Sequence, residues 1–78
     1  TVLALLGHAQ RSMGETTHQY AHRRSGIEHR AVTAAIKALL DQGMIRVHRV
    51  TLNETQQYHL TAKGWDKLGQ QPPIWAAA

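Results

Sequence analysis

The segment Gly26 to Val47, GIEHRAVTAAIKALLDQGMIRV, constrains this chain more than any other. Val32, Ile36, Leu39 and Leu40 recur at spacings of three and four, which puts them on one face of a helix predicted from Glu28 to Gln42. Ala35 on that face allows close approach of a neighbour. Gly26 and Gly43 bracket the helix at points where the chain must turn through left-handed backbone. Met44 or Ile45 is placed to fold back over the last turn, and a β-type pattern follows at once. Asp41 opposes the dipole at the helix C-terminus, so it is not there for helix stability. The same period turns His29, Arg30, Thr33, Ala34 and Lys37 outward.

The flanking segments fall into place around this helix. Val2, Leu5, Leu6 and Ala9 form one face of a short first helix, and Gln10 to Glu15 breaks the pattern. Thr16 opens a second helix, with Thr16-Thr17-His18-Gln19 fitting a capping box. Tyr20 and Ala21 supply its buried side, and Ser25-Gly26 ends it. After Gly43, Ile45–Thr51 and Gln56–Leu60 read as two strands joined by Leu52-Asn53-Glu54-Thr55, where Asn suits a turn. Ile45, Val47, Tyr58 and Leu60 are the expected inward positions. Thr61 caps a last helical stretch with Trp65 and Leu68 inward, ended by Pro72-Pro73. The expected fold is α+β, mainly α: three helices, a two-stranded hairpin and a short C-terminal helix. Residues 1–69 form the domain and 70–78 a Pro-containing tail.

Composition narrows the function. A chain of 78 residues makes one small domain, and with no Phe and no Cys its core must be aliphatic. The lack of Cys removes disulfides and thiolate metal sites and fits a reducing compartment, the cytoplasm. Val2–Leu6 is far short of the about 20 apolar residues needed to span a bilayer, so no membrane partner is expected. The chain opens without an initiator Met, as expected of an excised domain or a trimmed first helix, and Ala76–Ala78 reads as a vector remnant. Net charge is +4, and from Arg23 to Arg49 six basic residues face only Glu28 and Asp41. Such a bias favours a polyanionic partner, most often nucleic acid.

Two helices joined by a short Gly-containing turn and followed by a two-stranded ribbon match helix-turn-helix geometry with an added wing. On Thr17, Tyr20, Ala21, Gly26, Ile27, Val32, Ile36, Leu39, Gly43, Met44 and Ile45, the chain resembles the winged helix-turn-helix family. Leu39-Leu40-Asp41-Gln42-Gly43-Met44-Ile45 looks like that family's exit from the recognition helix. His59-Leu60-Thr61-Ala62-Lys63-Gly64 is similar to the wing exit of MarR-like and PadR-like regulators. The resemblance covers residues 1 to 69. It implies binding of double-stranded DNA, either in a transcription regulator or in a module appended to a replication or conjugation protein. A MarR-like regulator would form a homodimer through long flanking helices, which this stretch lacks; an appended module would sit beside a neighbouring domain. Two departures from the family are Glu28, where Ser or Thr is usual, and Glu54 at the hairpin tip.

The family comparison turns the outer face of the third helix into a candidate groove-reading surface. There Arg30 can meet guanine in bidentate fashion, Thr33 and Ala34 permit close approach, and Lys37 and His29 lie beside them. Thr16 and Thr17 are candidate phosphate contacts at the second helix's N-terminus. Arg46 and Arg49 are candidates on the hairpin, where strand alternation puts Arg46 and His48 on one face and Arg49 on the other. The same charges would also discourage edge-to-edge strand pairing. Arg23 and Arg24 are sufficiently explained by the helix dipole.

His18 and His22 stand four apart, but no Cys or suitably placed carboxylate completes a zinc site, so neither metal nor cofactor is expected. Ser12 and Ser25 lack an evident base, Gly14 and Gly64 make no phosphate loop, and the acidic residues are single, so no enzyme is expected. Ile74-Trp75 either packs across the domain or marks a partner contact or domain link. The competing reading is a winged helix that binds protein, favoured by Glu28 and Glu54. RNA binding shares the charge argument but lacks a stacking platform recognisable in sequence.

Overall fold

The computed structural model describes residues 1–76, so the reading of Ala77 and Ala78 as a vector remnant lies outside the described residues. The architecture is α+β and mainly helical. Helices α1 (Val2–Arg11), α2 (His18–Ser25) and α3 (His29–Asp41) precede strands β1 (Ile45–Val50) and β2 (Gln56–Leu60), then helix α4 (Ala62–Lys67) and a 3-10 turn (Ile74–Ala76). No helix among the described residues is long and apolar enough to cross a membrane.

α1 packs against α2, α3 and β2, and places Val2, Leu3 and Leu6 in the core with Ala21, Val32, Ile36, Ile45, Tyr58, Leu60 and Trp65. Burying aliphatic side chains such as Leu6 and Val32, both fully enclosed, contributes about 1.5–3 kcal/mol each. The buried face of α1 is wider than its apolar spacing suggests, because Leu3 and Gln10 are enclosed while Leu5 is only half-buried.

The start of α2 differs from expectation. Its N-cap is Thr17, whose hydroxyl accepts from the Tyr20 amide at 3.1 Å. Thr16 is instead extended backbone lying along β2: its carbonyl accepts from Tyr58 N at 2.9 Å, and Thr17 bridges Gln57. The reason is the free edge of β2, whose amides need acceptors. The buried Gln10 side chain completes that edge, its Oε1 accepting from Leu60 N at 2.8 Å.

α2 ends at Gly26 (φ 69°), as its position requires. α3 begins at Glu28 without a side-chain cap, which agrees with glutamate being a poor cap residue. Gly43 closes α3, with Met44 N bonded back to Leu39 O at 2.9 Å. The reversal is then clamped to α4: Thr61 N donates to Met44 O at 3.0 Å, and the Thr61 hydroxyl donates to Gly43 O. Gly64 makes this contact possible, since a Cβ there would lie 2.1 Å from Met44 O. α4 stops at Lys67 with Gly69 (φ 69°) just beyond, well before Pro72-Pro73. Helical hydrogen bonding is spent once the left-handed glycine is reached.

The antiparallel hairpin pairs Ile45 with Leu60, Arg46 with His59 and Val47 with Tyr58, then slips by a residue so that Arg49 pairs with Gln57 and Val50 with Gln56. His48 is the unpaired residue of this bulge. Val47 keeps the inward register but is 40 % exposed, because the ribbon runs out past the helices there. At the tip Glu54, not Asn53, takes left-handed backbone (φ 61°), held by Glu54 N to Thr51 O at 2.9 Å.

Candidate nucleic-acid interface

The outer face of α3 follows from the buried one. With Val32 and Ile36 enclosed, and Ala35, Leu39 and Leu40 half-buried, the helical period leaves His29, Arg30, Thr33, Ala34 and Lys37 exposed to solvent. Among the described residues the ion pair is Arg23–Glu15 at 3.3 Å, so neither Arg30 nor Lys37 is neutralised by a carboxylate. Among the described residues the tail meets α1 and the hairpin: Arg11 donates to Gln70 Oε1 at 3.2 Å and to the Gln71 carbonyl, and Trp75 meets His59. The Arg11 guanidinium also lies over the buried Trp65 ring, 4.8 Å from its centroid.

Two members of the face are less free than their exposure suggests. The Thr33 hydroxyl donates to His29 O at 3.1 Å, so His18 Nε2, 2.7 Å away, is the donor to Thr33 Oγ1. His29 packs against His18 (ring centroids 4.2 Å) and edge-on against His22 (5.4 Å). His22 in turn bonds Ile27 O through Nδ1 at 2.8 Å. The short turn at residues 26–28 thus gathers three imidazoles, of which only His18 and His22 stand as a pair in the sequence. Burial, followed by the neighbouring His29 and His22, pushes the His18 pKa down from its ordinary value. The His18–Thr33 hydrogen bond ties α2 to α3 at this corner. No three His, Cys, Asp or Glu side chains among the described residues are arranged to hold a metal ion.

The phosphate contact expected at Thr16 and Thr17 is through backbone N–H groups rather than through these two side chains. Both are buried, and the Thr17 hydroxyl is spent on its cap and on Glu15 Oε1 at 3.1 Å. Glu15, whose charge is met by Arg23 at 3.3 Å, is held beside the start of α2 by that hydroxyl.

The hairpin carries the second basic group, and the bulge rearranges it. Strict alternation would separate Arg46 from Arg49. Because His48 is extra, Arg49 pairs with Gln57 while Arg46 pairs with His59, and Gln57 and His59 lie two apart on one face of β2. Both arginines therefore share the outer face of the ribbon. On it the His48 and His59 rings stack in parallel, 3.7 Å apart and 6° from coplanar, and Trp75 meets His59 edge-on at 6.1 Å. Burial, then His48 and Arg46, pushes the His59 pKa down to about 4, so that ring is uncharged at neutral pH. Neither the bulge nor this aromatic cluster was visible in the sequence; the nearest signal was the exposed-type His48 and His59 on facing strands.

Compared with family models, with curated proteins and with solved structures, the chain matches none of them.

Proposed function

We propose that this chain is a winged helix-turn-helix domain that binds double-stranded DNA, with α3 in the major groove and the hairpin along the flanking backbone. The observation that carries the reading is the outer face of α3: Arg30 and Lys37 are solvent-exposed, have no carboxylate partner among the described residues, and flank the small Thr33 and Ala34. Arg30 reads base edges or phosphate through its planar fork, and Lys37 meets phosphate as a point charge. His29 and Thr33 take a supporting part, since each is already engaged at the α2–α3 corner. Arg46 and Arg49 add phosphate contacts from the hairpin. At Thr16 and Thr17 the candidate phosphate contact is through backbone N–H groups at the start of α2, since both side chains are buried. The larger protein would be a transcription regulator or a DNA-processing protein that uses this domain as a grip, in the cytoplasm.

A protein-binding winged helix is the second reading, favoured by Val47, Val50 and Leu52, which the distal hairpin leaves exposed. The Arg30→Ala/Lys37→Ala double variant separates the two. Both side chains are exposed, so the fold should survive. Duplex affinity measured by fluorescence anisotropy should fall at least about tenfold if a bidentate base contact and a phosphate contact are lost together. An unchanged affinity refutes the α3 interface.

A further inference from the structure

The outer face of the hairpin forms a cleft whose aromatic rings the duplex reading leaves unused, beside the Arg49 that it shares. It has a volume of about 270 Å³ and is walled by His48, Arg49, Gln57, His59 and Trp75, with Gln10 and Thr16 at its back. That volume is just below the range of about 300–1,000 Å³ usual for drug-sized ligands, which suits a single planar group. We infer that this cleft takes an unpaired nucleobase of single-stranded DNA next to the bound duplex, stacked on the His48/His59/Trp75 aromatic cluster with its phosphate on Arg49 and Arg46.

Four observations support the inference. Ring surface is available, because Trp75 is 46 % exposed and His48 is exposed, the first edge-on to His59 and the second stacked on it. Aromatic faces of this kind bind bases of any sequence by stacking. Charge is placed correctly, because the bulge at His48 turns Arg49 to the same side as Arg46 and no acidic residue lines the cleft. A hydrogen-bonding group is also at hand: Gln57 lies directly across from Arg49, and its side-chain amide makes no hydrogen bond among the described residues, leaving donor and acceptor for a base edge. Finally, His59 is uncharged at neutral pH, so the rings stack without mutual repulsion.

The inference rests on the duplex reading only for where the single strand comes from, and the test keeps the two apart. Trp65 is buried, so a change in tryptophan emission on adding oligothymidylate reports on Trp75. Wild-type protein and Trp75→Ala are titrated with a blunt duplex, the same duplex carrying a short single-stranded extension, and oligothymidylate alone. The expected result is about tenfold tighter binding of the extended duplex, the effect of one stacked base, with quenching of Trp75. Trp75→Ala should erase that increment and leave blunt-duplex affinity unchanged; Arg49→Ala should weaken blunt-duplex binding too, since Arg49 also serves the duplex, and reduce the increment. Trp75 has His59 as its aromatic contact and lies in the tail, and circular dichroism of the variant confirms folding. Equal affinity for blunt and extended duplexes, with unquenched Trp75, overturns the cleft and spares the duplex reading. Quenching by oligothymidylate in a protein that ignores blunt duplex supports the cleft and overturns the duplex reading. No response to any of the three overturns both.

Discussion

Substituting Gly64 by alanine tests how the hairpin and α4 are held on the helical body. In an exposed helix interior that change stabilises by about 1 kcal/mol, because alanine is the better helix former. Here the new Cβ would lie 2.1 Å from Met44 O and 3.1 Å from the Met44 carbonyl carbon, both backbone atoms. Backbone cannot swing aside as a side-chain end can, so α4 must move by an ångström or more. That movement costs about 1–3 kcal/mol as overpacking. It also weakens the Thr61 N–Met44 O bond, which lies in the same contact, by about 1 kcal/mol. The net expectation is a loss of about 1–3 kcal/mol, which lowers the melting temperature by roughly 5–20 °C in a domain of this size. Thermal unfolding followed by circular dichroism reads it directly. Gly7→Ala is the control, since a Cβ there meets only the ends of Leu68, Leu60 and Trp65 side chains at 3.0–3.3 Å and should cost less. A Gly64→Ala protein as stable as wild type would refute the clamp.

Two further perturbations address the buried polar contacts and the imidazoles. Gln10→Leu removes the acceptor of the Leu60 amide and should cost about 1–3 kcal/mol in urea unfolding; an unchanged midpoint would show that this amide finds another partner. The His59 pKa is lowered from its ordinary 6.5 to about 4, and His18 is lowered too, so the unfolded chain binds more protons than the native one in that interval. Stability should therefore be full above pH 6.5 and decline as pH falls toward 4. His59→Gln should flatten the decline of melting temperature with pH, and an identical slope in the variant would contradict the assignment.

The third helix was legible because one physical signal dominated it. The Val32–Leu40 stripe and the glycines at both ends leave a helix with one buried face, and the structure places it at His29–Asp41. The strands were legible for a similar reason, since Ile45 and Val47, and Tyr58 and Leu60, alternate on either side of a polar turn. What escaped was set by contacts distant in sequence. Gln10 looks like a loop residue until the free edge of β2 requires an acceptor for Leu60 N. The same edge draws Thr16 into the sheet and passes the cap to Thr17.

On the candidate site, the exposed side of α3 followed directly from helical period, and all five residues assigned to it are at the surface. The hairpin did not follow from period, because one bulged residue reverses the face of everything beyond it. Arg49 therefore lands beside Arg46, and His48 on His59. The histidine corner was hidden because His18 and His29 belong to different helices, and only the tightness of the turn between them brings their rings to 4.2 Å.

The salt dependence of duplex binding tests the central claim most directly. The four exposed basic side chains assigned to the duplex, Arg30, Lys37, Arg46 and Arg49, release about as many counterions, so log affinity against log salt should fall with a slope of about −3 to −4. The slope of a Lys37→Ala variant should be shallower by about 1. A flat line for the wild-type protein would contradict the account, for then the unpaired charges of α3 and the hairpin meet no duplex.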